Sequence, residues 1–147
     1  MYKFPILFVL AFLATAFVGA QTSKIAVKFH KDTLLGDGKA FAIVKSSTTL
    51  PTSYSIQKLN GVELVSIKPI YIQISTGKRA GYYLVTFNET EQTIERYITP
   101  TFSRTFPQEL AETETLTLDG IDVVNVRRFV AKNKRRLSDE IKATIKQ

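Results

Sequence analysis

The sequence predicts an α+β domain: an antiparallel β-meander of about seven strands followed by one or two packed C-terminal helices. Three observations predict it. Apolar and polar residues alternate from residue 24 to about residue 99, the period of half-buried strands. The breaks between alternating segments are short turns marked by Gly, Asn and Pro, and none has the length and period of the crossover helix that a parallel sheet requires. Toward the C-terminus the apolar period lengthens to that of a helix. A β-sandwich or small barrel with a helical appendage is the alternative. A chain of 147 residues suits one domain, divided here into a leader over 1–20, a β-rich part over 21–99 and a loop and helical part over 100–147.

The leader reads as a cleavable signal peptide. Lys3 supplies its positive start, residues 4–17 are apolar apart from Pro5 and Thr15, and Val18, Gly19 and Ala20 offer short side chains before a cut between Ala20 and Gln21. An uncleaved anchor is the rival, since the apolar run is at the lower limit of the ~17–25 residues that span a bilayer. No basic stop-transfer cluster follows closely, and no Cys is present for a lipoprotein anchor. The expectation is therefore export to the periplasm or beyond, with no membrane span after cleavage.

The strands follow in order. Ile25, Val27 and Phe29 alternate with Lys24, Ala26, Lys28 and His30. Gly36-Asp37-Gly38 reads as a tight turn, because Asp-Gly favours a primed hairpin. The next strand puts Phe41 and Ile43 on one face and Ala40, Ala42 and Val44 on the other. Residues 46–53, with Pro51, form a loop. Asn60-Gly61 between residues 54–59 and 62–67 is the strongest hairpin signal in the chain. Pro69 is expected to break that second strand before Ile70, Ile72 and Ile74 resume the alternation. A turn over 76–81, a strand over 82–87 and a last strand over 93–98 complete the meander.

In the last third, residues 99–107 read as a loop bearing Phe102 and Phe106. Residues 109–115 read as a short helix, and 115–118 equally as a brief strand. Val123, Val126 and Val130 recur at i, i+3 and i+7, widened by Phe129, and predict a helix with Asp119 or Asp122 as its cap. That stripe is expected to cover the apolar sheet face. Ser138, followed by Asp139 and Glu140, predicts a second N-cap for a terminal helix carrying Ile141 and Ile145.

The charge is uneven. Of the net +7, one unit belongs to Lys3 in the leader. Residues 109–122 hold Glu109, Glu112, Glu114, Asp119 and Asp122 with no base, whereas 127–136 hold Arg127, Arg128, Lys132, Lys134, Arg135 and Arg136 with no acid. All the net charge of the chain after residue 20 thus equals that of one decade. On a helix, Arg128, Lys132, Arg135 and Arg136 fall on a single face. Such a face is either an ordinary solvated one, favoured by its position near a helix C-terminus, or a site for an anionic polymer or lipid headgroup. It lacks the interleaved exposed aromatics of a single-strand nucleic-acid platform, and sequence-specific nucleic-acid binding is not expected.

Catalytic and metal-binding patterns are sparse. With no Cys there is no disulfide, thiol nucleophile or cysteine-held metal, and one His excludes a multi-histidine site. His30 reads as a surface residue, with no Gly-x-Ser-x-Gly elbow to supply a nucleophile. Gly36–Lys39 and 76–79 lack the spacing of a phosphate loop, and Asp32 and Asp37 do not match a calcium loop. Neither a metal nor a cofactor is expected. Glu89, Glu91 and Glu95 are the candidates for a carboxylate-dependent hydrolase. Asn88-Glu89-Thr90 fits a glycosylation sequon. The adjacent Tyr82 and Tyr83 point to opposite faces of a strand, so that one of them can be exposed.

Residues 32–39 and 59–64, with the signal ending at Ala20 and the helix 125–132, resemble small uncharacterised secreted proteins of Gram-negative bacteria. The resemblance covers about half the chain after residue 20. Gly36 stands where the family's turn has an apolar residue before its Asp. The resemblance implies export and no particular activity or site residue. Together these readings predict an exported, non-enzymatic binding or structural module with an envelope protein or an anionic polymer as partner. Oligomeric state is left open.

Overall fold

The computed structural model describes residues 25–146; the leader and the Ala20/Gln21 junction lie outside them. Seven antiparallel strands form one sheet in chain order: β1 (Val27–His30), β2 (Thr33–Gly36), β3 (Lys39–Ser46), β4 (Tyr54–Lys58), β5 (Glu63–Ser75), β6 (Lys78–Phe87) and β7 (Gln92–Tyr97). After them come α1 (Phe102–Glu112), a two-stranded ribbon of β8 (Leu116–Thr117) and β9 (Gly120–Ile121), α2 (Val123–Lys132) and α3 (Leu137–Ile145). The α+β meander of the sequence reading is the observed architecture. No described helix is long and apolar enough to cross a membrane.

The strand count agrees through two compensating departures. Thr33–Gly36 is a strand that the sequence reading passed over, and the break expected at Pro69 is absent. Pro69 lies inside β5, opposite Tyr83 of β6. Pairing with β4 stops at Ile67, opposite Tyr54, so at Pro69 one side of β5 is open, and proline is tolerated where its missing donor removes no ladder bond. A third departure sits at β2–β3, where the register shifts between Leu34 and Leu35. This bulge places Phe41 with Ala42 and Val44 in the core instead of with Ile43.

The β2–β3 turn behaves as its residues predict, whereas the β4–β5 connection is one residue longer than the two-residue Asn60-Gly61 turn read from the sequence. Asp37 and Gly38 both have positive φ, at 51° and 80°, the pair of left-handed residues that a primed hairpin needs. At the β4–β5 hairpin the loop takes three residues. Gly61 donates to the Lys58 carbonyl at 2.9 Å and Lys58 to the Val62 carbonyl at 2.8 Å, with Gly61 at φ 89°.

The inner face of the sheet carries Leu34, Ile56, Ile67, Tyr83, Val85 and Phe87 against Phe102, Phe106 and Leu110 of α1 and Val126 and Phe129 of α2. The expected helical cover is therefore present, and α1 adds to it. α1 begins at Phe102, inside the segment read as a loop, and contains Pro107. A proline in a helix costs about 3 kcal/mol, but burying Phe102, Phe106 and Leu110, spaced i, i+4, i+8, contributes about 1.5–3 kcal/mol each. Burial wins. α1 lies against β1, while its Glu109 pairs with Arg96 of β7, so the sheet curls until both edges meet the helix.

α3 rests on the other face. Tyr83 faces Phe102 on the inner side, and its neighbour Tyr82 faces outward beside the start of α3. Both rings are buried, at 6 % and 8 % exposure. The two rings point to opposite faces, as the alternation predicts, and both are packed instead of one being exposed, because each face has its own helix.

Candidate binding groove at the sheet edge

With α2 inside and α3 outside, residues 133–136 must cross the open edge of β7. They do so over Glu95. A hollow of about 480 Å³ extends from the crossing toward Arg96, Tyr97 and Thr99, and one of about 370 Å³ toward Thr93 and Ile94. Glu95, Asn133 and Arg135 line both.

The crossing begins where α2 ends. Asn133 donates through its side-chain nitrogen to the Phe129 carbonyl at 2.8 Å, and its side-chain oxygen accepts from Arg96 at 2.6 Å. One side chain thus closes the helix and ties it to β7. Arg96 also pairs with Glu109 and lies 5.6 Å from the centre of the Phe106 ring. Its guanidinium is held by three residues, Glu109 and Phe106 of α1 and Asn133 at the end of α2.

The crossing ends on α3. The Glu95 carboxylate accepts from the Ser138 backbone N–H and hydroxyl, each at 2.7 Å. Ser138 is therefore not the N-cap of α3. It lies in the first turn, Arg136 takes the cap position, and the free donors are satisfied by a strand residue. For α2 the cap is Asp122, which accepts from the Asn125 N–H at 2.8 Å.

This geometry divides the basic decade. The expected single helical face does not form, because α2 stops at Lys132 and Arg135 and Arg136 lie beyond it. Arg135 makes a two-pronged contact with Glu140, at 2.6 and 2.8 Å, and stacks 5.2 Å from the Tyr97 ring centre. Hydrogen bonding to Glu140 raises the Arg135 pKa, and the same contact lowers that of Glu140. Arg136 pairs with Asp139 at 3.3 Å. Arg127, Arg128, Lys132 and Lys134 are exposed, and among the described residues none has a carboxylate within ion-pair distance.

Arg96 and Asn133 carry no functional reading in the sequence, and Glu109 is read there only as one acid of the segment before the basic decade. One signal was available: Arg96 is in phase with Ile94, so a charged residue occupies the apolar face of β7.

The remaining candidates stand apart from the groove. His30 is exposed on β1. Gly36–Lys39 is the β2–β3 turn, and residues 76–79 lie at the β5–β6 turn. Glu91 lies in the β6–β7 turn, about 13 Å along the strand from Glu95, and Glu95 is engaged with α3. The amide nitrogen of Asn88 donates to the carbonyl and carboxylate of Glu63, at 3.2 and 3.1 Å. No group of three His, Cys, Asp or Glu among the described residues could hold a metal ion.

No protein-family model, no curated protein and no solved structure matches the chain.

Proposed function

We propose that this protein is an exported, non-enzymatic binding module whose partner seats in the groove along β7. The observation that carries the reading is the pair of hollows meeting at the 133–136 crossing, framed by side chains already fixed by other parts of the fold. Preorganised contacts bind with less ordering cost. The two carboxylates of the groove each have a structural partner, Arg96 for Glu109 and Ser138 for Glu95, which favours binding over acid–base work. Export rests on residues 1–20 and on the resemblance to secreted proteins.

The cysteine-free chain allows a direct test. Thr105 lines the groove and is exposed, and His30 is exposed on β1. A bulky maleimide on Thr105→Cys should abolish retention of envelope-extract components, while the same label on His30→Cys should not. Equal retention by both labelled proteins would sink the reading. A second reading, recognition of an anionic partner, is favoured by the four unpaired cations at Arg127, Arg128, Lys132 and Lys134.

A further inference from the structure

Resting on the anionic reading of that groove, we infer that its ligand is an acidic polysaccharide, a chain of uronate sugars laid across the 133–136 crossing. Three observations converge. The first is the kind of cation left free. The arginines of the groove are committed, Arg96 to Glu109 and Asn133, Arg135 to Glu140 and Arg136 to Asp139. The free cations that reach the hollows are Lys132 and Lys134. Lysine is a compact point charge that needs no planar partner, and two of them set apart on the two hollows suit anionic groups repeated along a polymer, one charge to a sugar.

The second is Tyr97. It lines the larger hollow, is 54 % exposed, and is backed by the Arg135 guanidinium. A ring held in this way offers its open side to the apolar face of a sugar while hydroxyls bond to neighbours such as Thr99, Thr105 and Asn133. It is the single exposed aromatic lining the described groove, whereas a single-stranded nucleic acid needs successive platforms.

The third is shape. The cations border two hollows on either side of a strap, not a flat plane. A flexible chain can cross the strap and enter both hollows, with Arg127 and Arg128 beyond them on α2. A bilayer surface cannot follow that contour.

The test uses the chain spanning residues 21–147 with polygalacturonate oligomers as probe, read by titration calorimetry at 50 and 200 mM salt. Neutral dextran, phosphatidylglycerol vesicles and single-stranded DNA serve as comparison ligands. Polygalacturonate should bind more tightly than all three and weaken as salt rises. The double variant K132Q/K134Q should lose about tenfold or more in affinity and show a flatter salt dependence, since fewer counterions are exchanged. Y97A should lose about fivefold with the salt dependence unchanged, because stacking carries no net charge. Urea midpoints equal to the parent's show that these exposed substitutions leave the fold intact. Tighter binding to vesicles or DNA, affinity unaffected by K132Q/K134Q, or affinity unaffected by Y97A overturns the inference. If polygalacturonate fails while the Thr105 label still blocks retention, the polymer class is wrong and the groove survives.

Discussion

On the inner face of the sheet, α1 and α2 are held by ring against ring: Phe102 on Tyr83 at 4.6 Å, Phe106 on Phe102 at 4.8 Å and Phe129 against both Phe106 and Phe87. On the outer face, the first turn of α3 is held by Leu137, the Tyr82 ring and a carboxylate clasp from Glu95. Burial is non-directional and scales with area, so the inner helices have many interchangeable contacts. A hydrogen-bonded clasp depends on two residues 43 positions apart meeting at one geometry. The groove lies where the two regimes meet. One wall is fixed by the core, and the other is only as secure as the Glu95 clasp.

The largest expected effect breaks the inner side. Phe106 is fully buried and touches Phe102, Phe129 and Arg96. Phe106→Ala should destabilise the whole domain by about 3–5 kcal/mol, a large share of the ~5–15 kcal/mol typical of folded domains. Urea unfolding should show one cooperative transition moved to lower denaturant. A loss under about 1 kcal/mol would mean that the ring stack is not what holds α1 to the sheet.

The next effect separates the faces. Glu95→Ala removes both acceptors from Ser138 and should cost about 2 kcal/mol. The loss should be local. Hydrogen exchange should accelerate at the backbone amides of α3 while those of α1 keep their protection. Unchanged protection in α3 would show that apolar contacts alone hold it, and would erase the contrast between the faces.

These two contacts also mark where sequence reasoning runs out. Strands follow from alternation, because period 2 is a local property of the chain: Ile25 to Phe29 and Ile70 to Ile74 declare themselves without knowledge of their partners. The Asp37-Gly38 turn is equally local, since its two left-handed residues are the ones that need to be there. The stripe of Phe102, Phe106 and Leu110 was also present in the sequence, but Pro107 masked it, and only the burial energy decides that contest. The clasp is different. Nothing near Ser138 announces Glu95, and nothing near Arg96 announces Asn133. α2 closes at Asn133, which bonds back to Phe129 and meets Arg96, and the basic decade therefore folds as a helix end, a strap and a paired cap instead of one helical face.

The adjacent tyrosines offer the smallest and sharpest version of the comparison, because they probe both faces from one strand. Burial, with Tyr54 and Tyr71 nearby, pushes Tyr83 up to about 12. Burial and the Glu95 carboxylate also push Tyr82 up. A phenol whose pKa is raised in the fold holds its proton more tightly there than in the unfolded chain, where it titrates near 10. Its contribution to stability is therefore complete below about pH 10 and declines as pH climbs toward 12. At neutral pH neither group should be visible in this way. Unfolding measured between pH 9 and 12 should show the parent losing stability more steeply than Tyr83→Phe, with Tyr82→Phe between them. If Tyr83→Phe follows the parent's slope, its ring is not sealed by α1, and the inner face is looser than its aromatic packing implies.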